Sequence, residues 1–308
     1  MPAFDIKTIT GVIPAMVTPF DENEKLDETR LRAVVNFLIE RKVEGLYITG
    51  STGESFLMSP EERKRVVEVT MEEVRGRLPV IAHIGAISTH HSVDLAQHAE
   101  QHGVDAISSV PPIYWGFSAD QIHGYYADIT SSTKLPMIAY NVPMAALGFD
   151  MIQRLSTIDG VVGVKYTAST HHDIIRIKEE IGKDFIVYSG SDEMAMSGYS
   201  FGADGIIGSF YNSMPEIWMA LRDAMAAGNL AEAKRLQEIG NAVIFFSLPR
   251  GGVQMIKRAM TWMGCDAGYV RKPLGGFIDQ ATDDRLKAEF RQFRDERKLT
   301  GVAFLDAL

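Results

Sequence analysis

The chain has 308 residues, 46% of them hydrophobic and 23% charged, with a formal net charge of −9 at pH 7. That mixture excludes disordered, collagen-like and low-complexity classes. The acidic balance, with no lysine- or arginine-rich run, argues against nucleic-acid partners, whose phosphates would need neutralising. Eight short apolar segments recur along the chain, at 12–17, 45–50, 79–85, 106–110, 136–141, 160–166, 185–190 and 205–209. They are near-continuous Val/Ile/Ala runs, the pattern of strands buried on both faces of a parallel sheet. Helical patterns fill the gaps. Leu31, Val34, Val35 and Leu38 follow Asp27 at helical spacing. Ser59-Pro60-Glu61-Glu62 reads as a capping box with proline at the first helical position, ahead of Val66, Val67 and Val74. Ser88 or Thr89 can cap a helix that Gly103 stops, and Thr170 precedes Ile174, Ile177 and Ile181 before Gly182 ends that pattern. Ser213-Met214-Pro215-Glu216 repeats the capping-box pattern before Trp218 and Leu221. After residue 213 the strand pattern stops. Asn229-Leu230-Ala231-Glu232 caps another helix, and broken helical pattern runs to the end.

Strands alternating with helical crossovers give an α/β fold, expected here as a (β/α)8 TIM barrel over residues 1–225. Residues 226–308 are expected as C-terminal helices packed on the barrel. A doubly wound open sheet is the alternative, but no G-x-G-x-x-G follows the first strand. Cys265 is the only cysteine, so neither an intramolecular disulfide nor a CxxC metal knuckle can form. With no apolar run of about 18 residues, no membrane span is expected. The start, Met1-Pro2-Ala3-Phe4-Asp5, lacks the basic and apolar regions of a signal peptide. A cytoplasmic protein is the expectation.

In such a barrel the site lies where strands end, at the carboxyl face. Lys165 closes the strand Gly160-Val161-Val162-Gly163-Val164. It is either a solvated surface charge or a Schiff-base amine emerging from an apolar wall. An ordinary lysine has a pKa of about 10.4, so about one in 2,500 is neutral at pH 7. Lowering that value to about 7 costs the charged form about 4–5 kcal/mol, which desolvation can supply. Tyr140 ends the preceding strand and is either a core tyrosine or a proton shuttle beside the lysine. Gly50-Ser51-Thr52-Gly53-Glu54 is either a plain turn or a loop whose N–H and hydroxyl groups hold a carboxylate. Asp192 and Glu193 in Gly190-Ser191-Asp192-Glu193 are either acids at a helix start or acceptors for the hydroxyls of a polyol. Residues 202–209 are a weak candidate for a phosphate loop. His91, His98 and His102 lie at helical spacings, as a solvated helix face would place them, and His171-His172 sit at a helix start. No metal is expected.

Taken in order, G-S-T-G-E at 50–54, Y-N-V-P at 140–143 and G-V-K-Y-T at 163–167 resemble the pyruvate-dependent class I aldolases and lyases. That superfamily contains dihydrodipicolinate synthase and N-acetylneuraminate lyase, and the resemblance covers roughly residues 8 to 280. Ser51-Thr52, G-S-D-E at 190–193, G-S-F-Y-N at 208–212 and R-K-P at 271–273 are similar to the lyase branch. Synthases carry an arginine two residues after the proline of Y-N-x-P, and this chain has Ala145 there, so no fixed cation awaits a second carboxylate. The resemblance implies reversible cleavage of N-acetylneuraminate to pyruvate and N-acetylmannosamine, without a cofactor. A dihydrodipicolinate synthase, or another 2-keto-3-deoxy sugar acid aldolase or dehydratase, is the implied alternative. A non-catalytic keto-acid sensor would have lost one of the catalytic residues, and none is lost. By the same resemblance Lys165 forms the iminium and Ser51 and Thr52 hold the carboxylate. Tyr140 is the acid/base, linked through Ser51 to a Tyr114 from a neighbouring subunit of a homotetramer. Thr167, Gly190, Asp192, Glu193 and Ser209 bind sugar hydroxyls. Two departures alter the mouth: Pro111-Pro112-Ile113-Tyr114-Trp115, and the helix-breaking Leu248-Pro249-Arg250-Gly251-Gly252.

Overall fold

The computed structural model describes residues 2–308. Eight strands succeed one another around a ring: β1 (Gly11–Pro14), β2 (Leu46–Ile48), β3 (Val80–His83), β4 (Ala106–Ser109), β5 (Met137–Asn141), β6 (Val161–Tyr166), β7 (Ile186–Ser189) and β8 (Gly205–Gly208). All pairings are parallel, and β8 returns to β1 with Gly11 opposite Gly205. The ring closes between β1 and β2, where the Met16 N–H donates to Tyr47 O at 2.8 Å and Ala15 bridges Tyr47. The chain is therefore a (β/α)8 barrel. Each apolar segment read from the sequence carries its strand; six end one to three residues early, where the chain leaves the ladder, while β5 and β6 run to the expected last residue.

The strands are apolar throughout because they have two dry faces. Ile13, Tyr47, Ile81, Ile138, Tyr140 and Tyr188 fill the barrel, while Val12, Leu46, Val80, Ala139, Val164 and Val187 face the helices. Ile6 and Ile9 plug the amino end, where the Tyr188 hydroxyl donates to Ile9 O at 2.7 Å.

The helices are α1 (Glu28–Glu40), α2 (Pro60–Val74), α3 (Thr89–Gln101), α4 (Ala119–Ser131), α5 (Phe149–Leu155), α6 (His172–Arg176), α7 (Ala195–Ser200) and α8 (Pro215–Ala226), followed after the barrel by α9 (Leu230–Ser247), α10 (Val253–Trp262), α11 (Gln280–Arg297) and α12 (Ala303–Asp306). The capping box on α2 forms in both directions: Ser59 Oγ accepts from Glu62 N, and Glu62 Oε2 accepts from Ser59 N. The one expected at 213–216 does not form. Ser213 Oγ donates back to Phe210 O, and Glu216 accepts the Ala303 N–H at 2.8 Å, so a tertiary partner takes the carboxylate from its local one. The expected single helix up to Ile181 is α6 followed by a wide π turn, Ile177–Ile181, ending at Gly182. As expected, α9 breaks into a short 3-10 turn, Leu248–Arg250, with Gly251 in the left-handed region. Among the described residues, no helix is long and apolar enough to cross a membrane. Cys265 is buried, and burial pushes its thiol up to about 12, so it is inert.

Candidate active site

Lys165 and Tyr140 are register partners on β6 and β5, and the strand parity that buries Ile138 aims both inward. Lys165 is only 3% exposed. Its Nζ lies 4.3 Å from the ring centroid of Tyr140 and 4.3 Å from that of Tyr47, the inward residue of β2. The two rings meet edge to face at 83° and 6.2 Å. Tyr47 is held by a 3.1 Å bond between its hydroxyl and Ser108 Oγ. The amine has aromatic faces as its neighbours, so its lone pair is free when neutral and its charge is stabilised by ring quadrupoles when cationic. Tyr47 was not anticipated; its inward parity in Leu46-Tyr47-Ile48 is the signal that could have found it.

Below the rings lies a second surprise. Arg63, from α2, reaches the ends of β3 and donates to Gly85 O and His83 O at 2.8 Å each, with no carboxylate partner among the described residues. Burial pulls its guanidinium down to about 10. His83 accepts from Val110 N and contacts Thr49 O, both met by a neutral Nδ1–H ring. Burial, followed by the charge of Arg63, holds it well below the usual histidine range.

The Gly-Ser-Thr-Gly-Glu loop follows β2. A side chain at Gly50 would strike the Tyr47 ring, so glycine lets the loop lie directly on that tyrosine. Thr52 is buried, with its hydroxyl 2.7 Å from Ser209 Oγ across the mouth, whereas Ser51 is exposed at the rim. Glu54 adopts a left-handed conformation, φ 61°, and turns its carboxylate into the protein. There Lys257 of α10 donates to Glu54 Oε1 at 2.5 Å, Thr18 O at 2.7 Å and Tyr269 O at 2.6 Å. The Arg271 N–H completes the set on Glu54 Oε2, and the Arg271 guanidinium pairs with Glu62. Burial raises the Glu54 carboxyl and pulls Lys257 down to about 8, each opposed by the other's charge.

Thr167, Gly190, Asp192, Glu193 and Ser209 form the opposite wall. With Ser51, Thr52, Tyr140 and Lys165 they line one cavity of about 230 Å³, joined by Ser191, Ile207, Phe210 and Leu248. The β strands bring these nine expected residues together from separate parts of the sequence. A Cβ at Gly190 would collide with Thr167 Oγ1, which is buried and has no hydrogen-bond partner among the described residues. Asp192 is already engaged: it accepts the N–H groups of Ser209 at 3.1 Å and Phe210 at 2.7 Å, bracing the end of β8. Burial raises its carboxyl to about 7. Glu193 lines the cavity with a carboxylate that no hydrogen bond engages among the described residues. From outside, α9 fixes this wall, with Gln237 donating to Asp192 O and Asn241 to Glu193 O.

Tyr114 is the expected site residue that the fold does not bring to this cavity. It is 84% exposed with φ 90°, beside Trp115 and near the rim. Adjacent to Ser51 an apolar cavity of about 240 Å³ opens, lined by Phe56, Val110, Ile113, Val142 and Met144.

A strand-end lysine sunk in a barrel between tyrosine faces, with the Gly-Ser-Thr-Gly-Glu loop at the cavity mouth, defines a class I aldolase, which works through a lysine Schiff base. The Dihydrodipicolinate synthetase family matches residues 8–292. N-acetylneuraminate lyase of Rhizobium meliloti (strain 1021) is 36% identical over 267 residues, covering 86% of this chain and 89% of that protein. The crystal structure of N-acetylneuraminate lyase from Mycoplasma synoviae superposes with a TM-score of 0.87 at 34% identity, over 95% of this chain and 99% of that one. Dihydrodipicolinate synthase from Bacillus anthracis gives 0.85 at 30% identity, over 91% and 97%. The chain belongs to the Dihydrodipicolinate synthetase family of pyruvate-dependent aldolases, and its substrate is a small keto acid.

Proposed function

We propose that the protein cleaves N-acetylneuraminate reversibly to pyruvate and N-acetylmannosamine. The observation that carries this choice over a synthase is the polarity of the cavity. Glu193 offers it a free carboxylate, and the loop after β5, Val142-Pro143-Met144-Ala145-Ala146, has no cation. Such a wall accepts hydroxyl protons and repels a second carboxylate. The lyase relatives named above support the same reading.

In this reading the neutral Lys165 amine adds to the keto carbon, and the carbinolamine loses water to give an iminium. Ser51 and Thr52 hold the adjoining carboxylate. Tyr140 gives its proton to the departing hydroxyl of the carbinolamine and then, as the phenolate left behind, takes the proton of the C4 hydroxyl. The C3–C4 bond breaks, its electrons move into the iminium to give an enamine, and the aldehyde leaves. Protonation at C3 and addition of water then release pyruvate and the free lysine. Thr167, Glu193 and Ser209 hold the sugar hydroxyls, and Gly190 leaves room for them. No cofactor takes part. We further propose a homotetramer in which Tyr114 of one subunit completes the proton path of another. A cytoplasmic setting, with the lone buried cysteine reduced, fits the reading.

Pyruvate release from a panel of 2-keto sugar acids tests the substrate, with pyruvate consumption beside aspartate semialdehyde as the competing assay. N-acetylneuraminate should be turned over fastest, and Lys165→Ala should abolish turnover. Borohydride with pyruvate should add mass to the Lys165 peptide. Faster consumption with aspartate semialdehyde would replace the lyase reading by a synthase.

A further inference from the structure

The solvated face expected for His91 and His98 of α3 and for His102 at its C-terminal cap holds only in part. His91 is exposed, but the His98 side chain is only 14% exposed and packs against α2. We infer that Glu68, His98 and His102 form a binding site for a zinc-like divalent cation that ties α2 to α3.

His98 and His102 are one helical turn apart, which puts both imidazoles on one face. Their ring centroids are 4.2 Å apart. Glu68 reaches them from α2, with Oε1 3.1 Å from His98 Nε2. One donor atom from each of the three residues lies within 4.8 Å of the others. Around a tetrahedral zinc, with bonds of about 2.0–2.2 Å, donors stand about 3.3 Å apart. The Glu68–His98 pair is already at that separation, and a turn of the His102 ring closes the rest.

The surroundings favour a ligand over a simple hydrogen bond. Arg65 holds Glu68 Oε2 at 2.7 Å and is itself fixed to Glu28, which leaves Oε1 directed at the histidines. Outer partners of this kind orient metal-bound carboxylates. A cavity of about 600 Å³, lined by Glu68, Glu72, Gln101 and His102, opens beside the cluster with room for a water as fourth ligand. Two imidazoles and one carboxylate select zinc, cobalt or nickel over magnesium or calcium. Because α3 leads into the amino end of β4, the site lies away from the Lys165 mouth, and its role is to staple the outer ring.

Calorimetric titration of tag-free, chelator-treated protein with zinc chloride tests this. One saturable site is expected, weakened at least about tenfold by His98→Ala and by His102→Ala. His91→Ala should bind as the parent does. Zinc should raise the melting temperature of the parent and of His91→Ala but not of His102→Ala, whose half-exposed position tolerates truncation. Pyruvate release by all three variants should be unchanged without added metal. Absence of saturable binding, or equal binding by all three variants, overturns the site.

Discussion

A reacting nitrogen that becomes cationic as the iminium forms gains from what faces it. Nζ of Lys165 faces two rings at 4.3 Å, and one of them, Tyr47, is fully buried and makes no polar contact with the cavity. Its contribution is therefore the ring, not the hydroxyl. Tyr47→Phe should keep iminium formation within about threefold, while Tyr47→Leu should slow it by about 10–100-fold, as loss of about 1.4–2.7 kcal/mol would. Single-turnover borohydride trapping measures that step directly; equal rates for the Phe and Leu variants would remove the ring from the mechanism. Asp192 argues a second case. Its carboxyl titrates near 7 in the folded protein because of burial, against 3.8 ordinarily. Below about pH 4 both folded and unfolded chains hold the proton. Between there and 7 only the folded chain does, so this group's stabilisation is lost as pH rises through that window. Asp192→Asn should flatten the pH dependence of urea unfolding across it, and an unchanged slope would show that Asp192 is ionised throughout. Neither role could be read from the sequence alone. Adjacent acids after a strand look alike whether they face a substrate or backbone N–H groups, and that difference arises only when β8 lies beside them.

Elements outside the barrel hold its mouth in place. The Glu54–Lys257 pair joins the loop after β2 to α10 across 203 residues, with both side chains wholly buried. Periodicity records which face of a helix is buried, but not which buried charge it meets, so this contact left no trace in the pattern. Lys257→Met would leave Glu54 without its cation. The carboxyl would take up a proton, and stability should fall by up to about 3–5 kcal/mol. Because the same loop carries Ser51 and Thr52, KM for pyruvate in the synthesis direction should rise, with KM for the sugar little changed. The double variant Glu54→Gln, Lys257→Met should recover most of the stability, since it removes both buried charges together. A double variant no more stable than Lys257→Met alone would mean that the contacts of Lys257 with Thr18 O and Tyr269 O dominate. Where local signals were undisturbed, as in the reciprocal cap of Ser59 and Glu62, the sequence reading and the structure agree. Where a distant partner intervened, as Ala303 did at Glu216, the local signal failed.

For the whole molecule, the barrel was legible because its strands are dry on both sides and therefore continuous, and because the Lys165, Tyr140 and Ser51 motifs end them. What one chain does not make legible is how its rim is covered. We retain the division at residues 225 and 226 as a proposal, with the later helices acting on the mouth through Gln237, Asn241 and Lys257. Tyr114 stands 84% exposed, with Trp115 64% and Met144 85% exposed nearby in chain or space, and an apolar cavity beside Ser51 lies open. Exposed apolar side chains of this kind suit an interface, and we propose that a second subunit covers them. The Tyr114 phenol is held out at φ 90°, a backbone that non-glycine residues rarely adopt, and it does not line the cavity that holds Lys165. If it serves a neighbour, two crippled chains can repair each other. Lys165→Ala has an intact Tyr114 to lend, and Tyr114→Phe has an intact lysine. Each expressed alone should release pyruvate at least about a hundredfold more slowly than the parent. Co-expressed and purified as mixed oligomers through two different tags, they should recover a substantial part of the parent rate, because some sites receive the lysine from one chain and the phenol from another. Recovery no greater than the mean of the two variants alone would place Tyr114 outside the proton path, whatever the oligomeric state.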